Sequence, residues 1–181
     1  MLRIESILKK CENFHAIQDL INSAFPPAEQ APIWFLLHRA KKKHIKFNAY
    51  YDKESLIGIA YLVIHSQICY VIYLAVDTTV QSKGYGTQIL NSIKSDYPNN
   101  RIVLGIEEEN ESAENNEQRK KRRQFYARNG FSSSGILLKF RDTPFDLLIY
   151  NGHCTTKEFF ELHKKFLGPI ISFFVKPKLI V

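Results

Sequence analysis

"VDTTVQSKGYGTQIL", Val76–Leu90, leaves an apolar run and enters residues spaced as a helix. Between them Gly84 and Gly86 flank a single aromatic, Tyr85, and follow Gln81, Ser82 and Lys83. Bare backbone at a strand-to-helix corner suits an anion. Glycine lets the chain pass close to a ligand, and the first amides of a helix have no intrahelical partners. The spacing narrows the choice. A dinucleotide fingerprint needs G-x-G-x-x-G, and the third position here is Ile89, too bulky for close helix packing. A nucleoside-triphosphate loop needs G-K-[ST] after its second glycine, where this chain has Gly86-Thr87-Gln88. What remains is Q-x-x-G-x-G, from Gln81 to Gly86.

Working outward, the elements alternate. Phe14, Ile17, Leu20, Ile21 and Ala24 recur at helical spacing and stop at Pro26-Pro27, and Pro32 opens a second helix through Trp34 and Leu37 that ends in Lys41-Lys42-Lys43. Ile45 to Tyr51, Leu56 to His65 and Ile68 to Val76 read as strands, with a hairpin turn at Asp52-Lys53-Glu54-Ser55. The third of these is almost wholly apolar, as expected of a strand covered on both faces. Beyond the glycines, Ile89, Leu90 and Ile93 form a helical stripe that ends near Tyr97-Pro98. Arg101 to Glu107 is a further strand, followed by a glutamate-rich stretch and a helix from Gln118 to Asn129 that Gly130 stops. Phe131 to Phe140 and Phe145 to Tyr150 are two late strands around a turn at Asp142-Thr143-Pro144. Thr155-x-x-Glu158 is a capping box, and an apolar tail runs from Ile170 to Val181. No repeat or linker interrupts this order, so residues 1–181 are expected to form one α/β (α+β) domain, with 152–181 as an extension.

Composition sets outer bounds. The 181 residues, 45% hydrophobic and 13% aromatic, describe a folded globular chain. The net charge of +7 favours phosphorylated or polyanionic ligands without deciding the fold. Cys11, Cys69 and Cys154 lie far apart with no CxxC spacing, and the six histidines show no ligand spacing, so no metal is expected. No apolar stretch is long enough to span a bilayer, and the N-terminus carries charges where a signal peptide needs its apolar centre. A cytoplasmic location and no membrane partner are the expectation.

The Q-x-x-G-x-G loop between a strand and a helix resembles the pyrophosphate loop of the GCN5-related N-acetyltransferases, the GNAT superfamily. "QFYARNGF", Gln124–Phe131, resembles the Y-x-x-x-G-F signature late in that fold. The element order agrees over roughly residues 1 to 150. The resemblance implies a central mixed, mostly antiparallel sheet flanked by helices, and acetyl-coenzyme A as co-substrate.

It also implies roles. Amides of Gln81, Ser82, Lys83, Gly84, Tyr85, Gly86 and Thr87 would hold the coenzyme pyrophosphate. Backbone groups of Leu74, Ala75 and Val76 would meet the pantetheine amides, one N–H there serving as oxyanion donor. Tyr126 would be the general acid for the leaving thiolate. Glu107, at the end of its strand, is the candidate base. An asparagine often stands seven residues before the tyrosine in the family; this chain has Arg119. The implied activity is acetyl transfer to a primary amine, small-molecule or peptide, by direct attack in a ternary complex, with a homodimer left open.

Two other classes compete. One is a coenzyme-binding module without catalysis. The other is a nucleic-acid-associated protein using Arg119-Lys120-Lys121-Arg122-Arg123. Five consecutive basic residues spread around a helix and face an acidic segment upstream, so a charged helix surface is the expectation and nucleic acid is not. One or two of these side chains are expected near the coenzyme 3′-phosphate. The acidic segment itself points to a cationic acceptor only if its glutamates are not simply solvated.

Overall fold

The computed structural model describes residues 2–7, 13–27, 29–140, 142–168, 172 and 177–180. Cys11 and most of the expected tail from Ile170 lie outside these residues. The chain divides into two compact units: Met1–Val63 with Val71–Pro98, and Ile64–Tyr70 with Asn99–Val181. The strand order reads β1-β2-β3-β4-β5-β7-β6-β8.

In the first unit the elements run β1 (Arg3–Ser6), α1 (Phe14–Ala24), α2 (Ile33–Ala40), β2 (Ile45–Asp52), β3 (Ser55–His65), β4 (Ile68–Val76) and α3 (Tyr85–Asp96), with β3 and β4 continuing into the second. β1 and β2 pair antiparallel with Ile4 opposite Tyr50, and β2 and β3 with Ala49 opposite Ile59. The expected Asp52–Ser55 turn is present, with Lys53 at φ 54°. β1 was not foreseen: its four residues are all exposed, so they carry no apolar alternation to read.

The helical stripes are where periodicity places them. Ile17, Leu20 and Ile21 of α1 are buried, as are Ile89, Leu90 and Ile93 of α3. Burial of the strands reverses one expectation. The strand covered on both faces is β3, buried continuously from Ile57 to Val63. In β4, by contrast, Val71, Tyr73 and Ala75 are buried while Tyr70, Ile72, Leu74 and Val76 are only partly covered. Apolar composition alone does not distinguish the two.

Tyrosine hydroxyls tie the helical layer to these strands. Tyr61 Oη donates to Leu36 O of α2 at 3.0 Å. Tyr73 Oη donates to Glu29 O at 2.8 Å and accepts from Ala31 N at 2.9 Å, fastening the α1–α2 loop. Burial pushes both phenols up from the usual tyrosine value, so the O–H donors persist at any ordinary pH.

The second unit holds the Ile64–Tyr70 hairpin tip, β5 (Arg101–Glu107), α4 (Asn116–Arg128), β6 (Ser132–Phe140), β7 (Thr143–Tyr150), α5 (Thr156–Leu167) and β8 (Lys178–Ile180). β7 pairs antiparallel with both β5 and β6, and β6 pairs antiparallel with β8. Thr143 and Pro144, expected in the turn, begin β7 instead. Ile68, Val103, Ile136, Leu138, Leu147 and Ile149 pack with Phe159 and Leu162 of α5. α5 is therefore integral to this core rather than appended to it.

The Thr155–Glu158 capping box closes as the spacing predicts, and Arg101 Nη2 pairs with Glu158 at 2.8 Å. Gly130 has φ 80°, and a Cβ there would lie 3.3 Å from the Tyr150 ring. A left-handed residue of minimal size is what the end of α4 requires.

Candidate active site

The glycine loop adopts the backbone its composition demands. Asp77 Oδ1 accepts from Thr79 N at 2.8 Å, shaping a 3-10 turn over Thr78–Val80. Gln81 Nε2 reaches back to Val76 O at 3.2 Å. Ser82 (φ 65°) and Gly84 (φ 82°) both take the left-handed conformation that turns the chain into α3. Gly84 is the N-cap of α3, contributes no capping side chain, and is followed by a first turn without an acid. A Cβ at Gly84 would meet nothing within 4 Å, so the space beside it is open. Several α3 amides thus point outward together with the positive end of the helix dipole, and Lys83 is exposed beside them. The loop is anchored from behind: Tyr85 Oη donates to Asp52 Oδ2 at 2.6 Å, and that hydrogen bond raises the phenol's pKa. The donor set fits a pyrophosphate.

The strand end that leads into the loop is set by a close approach that carries no periodic signal. An added Cβ on Gly58 of β3 would fall 2.4 Å from Ala75 O and 2.9 Å from Ile89 Cδ1. Only glycine lets the β4 carbonyl sit there. Gly58 lies inside an apolar run and reads as an ordinary strand residue until the backbone is seen.

In the second unit Tyr126 is 8% exposed, with Phe125 and Phe131 in edge contact at ring-centroid distances of 5.0 and 5.6 Å. Burial pushes its pKa up to about 12, the nearby Arg122 opposing this in part. The phenol is therefore protonated throughout the range in which an enzyme works.

Glu107 is 7% exposed, and its carboxylate is engaged by α4. Arg119 Nη2 lies 2.9 Å from Oε1, with Arg122 Nη1 3.7 Å and Asn115 Nδ2 3.3 Å from Oε2. Arg119 also donates to Glu108 O at 2.8 Å and to Asn115 Oδ1 at 2.8 Å. Arg123 bridges Glu109 at 3.0 Å and the buried Asp146 at 2.7 Å, and Ser133 Oγ donates to the other Asp146 oxygen at 2.7 Å. Lys120 pairs with Glu117 at 2.9 Å.

Within the run Arg119–Arg123, Arg119 and Arg123 hold largely buried carboxylates of the second unit, whereas Lys120 pairs with an exposed Glu117 and Lys121 is exposed, so the expected charged helix surface describes only part of it. Glu107, Glu109 and Glu117 are likewise paired rather than free. Asp146 belongs to this network and was missed by the sequence, where one aspartate among apolar neighbours has no distinguishing spacing. Among the described residues no group of three or more His, Cys, Asp or Glu is placed to hold a metal, and no helix is long and apolar enough to cross a membrane.

A family model of the acetyltransferase (GNAT) domain matches residues 43–133, half of the chain, and spans β2 through the start of β6. The chain belongs to the GNAT acetyltransferase family. Solved GNAT structures share its fold. A protein assigned to the GNAT family from Bacteroides thetaiotaomicron superposes with a TM-score of 0.70 at 22% identity, covering 90% of this chain and 94% of that one. An aminoglycoside 6′-N-acetyltransferase complexed with coenzyme A gives 0.63 at 15% identity, covering 81% and 95%. The ribosomal-protein-S18-alanine N-acetyltransferase from Escherichia coli gives 0.62 at 13% identity, covering 87% and 97%. No curated protein matches. At these identities the GNAT fold is shared and the acceptor is not specified, since one neighbour is named for an aminoglycoside and another for a ribosomal-protein alanine.

Proposed function

We propose that the protein transfers an acetyl group from acetyl-coenzyme A to a primary amine by direct attack in a ternary complex, residues 1–181 acting as one catalytic domain. The observation that carries this reading is the Gln81–Thr87 loop in a chain of the GNAT family. Its left-handed Ser82 and Gly84, uncapped α3 amides and open space suit a pyrophosphate and little else in an acetyltransferase. Backbone groups at Leu74, Ala75 and Val76 are assigned to the pantetheine amides, and one N–H of that strand end to the oxyanion.

In the transfer, the amine nitrogen attacks the thioester carbonyl carbon, the C–N bond forms and the C–S bond breaks. Tyr126 donates to the departing sulfur. Its pKa of about 12 lies well above the roughly 8.5 of a thiol, so a full proton transfer from the phenol is uphill. The phenol therefore acts as a hydrogen-bond donor to developing negative charge, and the proton shed by the amine ends on the thiol. Glu107 is assigned a positioning part: its ion pairs with Arg119 and Arg122 hold α4, the helix that carries Tyr126. Both of its oxygens already face donors, which favours this over the base role its position in the sequence suggests.

Tyr126→Phe tests the assignment. The ring and its packing remain while the donor is lost, so turnover should fall by about 10²-fold with unchanged coenzyme affinity. Normal turnover on an accepted amine would make Tyr126 a packing residue.

A further inference from the structure

Charge bookkeeping by geometry points away from a cationic acceptor. Three of the six acids that the sequence offers as an attractive field are taken up by α4, Glu107 by Arg119 and Arg122, Glu109 by Arg123 and Glu117 by Lys120, while Glu111 and Glu114 are exposed on the loop before the helix. The cations left over are elsewhere. From Ile33 to Lys46 there is no aspartate or glutamate, and Lys41, Lys42 and Lys43 are exposed and make no ion pair among the described residues.

They extend a stripe along α2. Trp34, His38 and Lys41 stand at i, i+4 and i+7, so they share one helix face, and all three are exposed. Trp34 is 67% exposed, while Phe35 and Leu36 on the opposite side are buried. An uncovered indole in line with unpaired ammonium groups is the composition of a contact surface rather than of a solvated helix.

We infer that this outer face of α2 docks an acidic polypeptide, so that the acceptor amine belongs to an acidic peptide or protein. The identity of the acceptor rests on the acetyltransferase reading above. Two observations favour a polypeptide over a nucleic acid. The face offers one aromatic ring, where single-stranded nucleic acid is held by successive stacking rings. Nucleobase exocyclic amines are also conjugated with the ring and make poor nucleophiles, so a nucleic acid brings no suitable amine.

The neighbouring surface suits an extended chain. At the N-terminal end of α2 a groove of about 290 Å³ is lined by Gln18 and Asn22 of α1 and by Pro27, Gln30, Pro32 and Ile33. Its carboxamides can pair with peptide groups, and it contains no ionisable side chain. The eight residues of α2 span roughly 12 Å, which about four extended residues of a bound chain would cover. Carboxylates about four positions from the residue seated in the groove would then reach Lys41–Lys43.

Trp34 is the only tryptophan in the chain, so its fluorescence reports on this face directly. The probe is a synthetic peptide of about ten residues with a free amino terminus and glutamates along its length, compared with the same peptide carrying glutamine. The acidic peptide should shift Trp34 emission saturably and bind at least about tenfold more tightly than the glutamine version. The difference should vanish when the Debye length is cut from roughly 10 Å at 0.1 M salt to roughly 3 Å at 1 M. The triple variant Lys41→Glu, Lys42→Glu, Lys43→Glu should lose it too, with its melting temperature and coenzyme affinity retained.

Equal binding of the two peptides would overturn the proposal. So would tighter binding of a single-stranded RNA oligonucleotide at the same face. The assay needs no turnover, so a failure here leaves acetyl transfer standing. Failure of the enzyme reading would appear separately, as absence of coenzyme release with every amine offered.

Discussion

Replacing Gly58 with alanine tests how β4 is held where it enters the glycine loop. The new Cβ would lie 2.4 Å from Ala75 O, whereas ordinary contact begins at 3.4 Å, so 3.4 − 2.4 = 1.0 Å of displacement is required. Ile89 Cδ1, at 2.9 Å, is the end of a flexible side chain and yields more easily than a strand carbonyl. Overpacking of this kind costs about 1–3 kcal/mol. For a chain of 181 residues each kcal/mol lowers Tm by about 2–4 °C, so the expected drop is roughly 2–12 °C.

The second effect is on the coenzyme. Ala75 is one of the three residues assigned to the pantetheine, and an ångström of misplacement in a binding strand is worth up to about 10²-fold. Thermal melts followed by circular dichroism measure the first effect, and calorimetry with coenzyme A on the folded variant measures the second. A variant that melts with the wild type would refute the packing argument. One that melts earlier yet binds coenzyme A normally would remove Leu74–Val76 from the coenzyme site.

The remaining expectations concern the loop, the α4 network and the α5 cap. Gly84→Val places a branched side chain at φ 82°, in space that is otherwise open; coenzyme affinity measured by calorimetry should fall at least tenfold, about 1.4 kcal/mol, in a folded protein. Glu107→Gln leaves Arg119 facing a neutral partner in a nearly dry site, where breaking a buried pair costs about 3–5 kcal/mol, so urea unfolding should show a large loss that adding Arg119→Gln partly relieves. If Glu107 were instead the base, the lost turnover would return at high pH with stability little changed. Glu158 is held down to about 2 by its hydrogen bonds to Arg101 and Thr155, below the ordinary 4.5. A depressed carboxylate stabilises the fold fully above pH 4.5 and loses that contribution as pH falls toward 2, so the stability gap between wild type and Glu158→Gln should close across that window. A gap independent of pH would leave the cap neutral in its charge.

The parts legible in the sequence were those governed by local backbone rules. Gly84 and Gly130 sit where a left-handed residue is needed, Thr155–Glu158 closes a box three residues wide, and Ile89, Leu90 and Ile93 follow the helical period. Charge could not be read the same way. Arg119 and Glu107 are twelve positions apart, Arg123 and Asp146 twenty-three, and nothing in either neighbourhood announces the partner. Read locally, one stretch is a run of glutamates and the next a run of bases, and each suggests a surface. Folding joins them, and part of the excess positive charge is left on Lys41–Lys43, exposed just beyond α2. Gly58 failed for a related reason: a close approach between strands is invisible until the strands are paired.

The ion pairs also explain how α4 can be held in place. This helix buries only Asn116 and Tyr126, so it has little apolar face with which to grip the sheet. Apolar packing alone would leave a helix of this composition free to slide or rotate at little cost, because such contacts lack direction. Arg119 on Glu107 and Arg123 on Asp146 instead fix it at two points one turn apart, each with short geometry and a largely buried carboxylate. Such pairs contribute little net stability against a hydrophobic alternative, but they specify register. Register is what the role proposed for Tyr126 requires, since a donor to the departing sulfur would be carried away by a rotation of the helix. The charge that the sequence displays on α4 is on this account spent on aim rather than on binding, which leaves recognition of the acceptor to side chains outside the second unit's network.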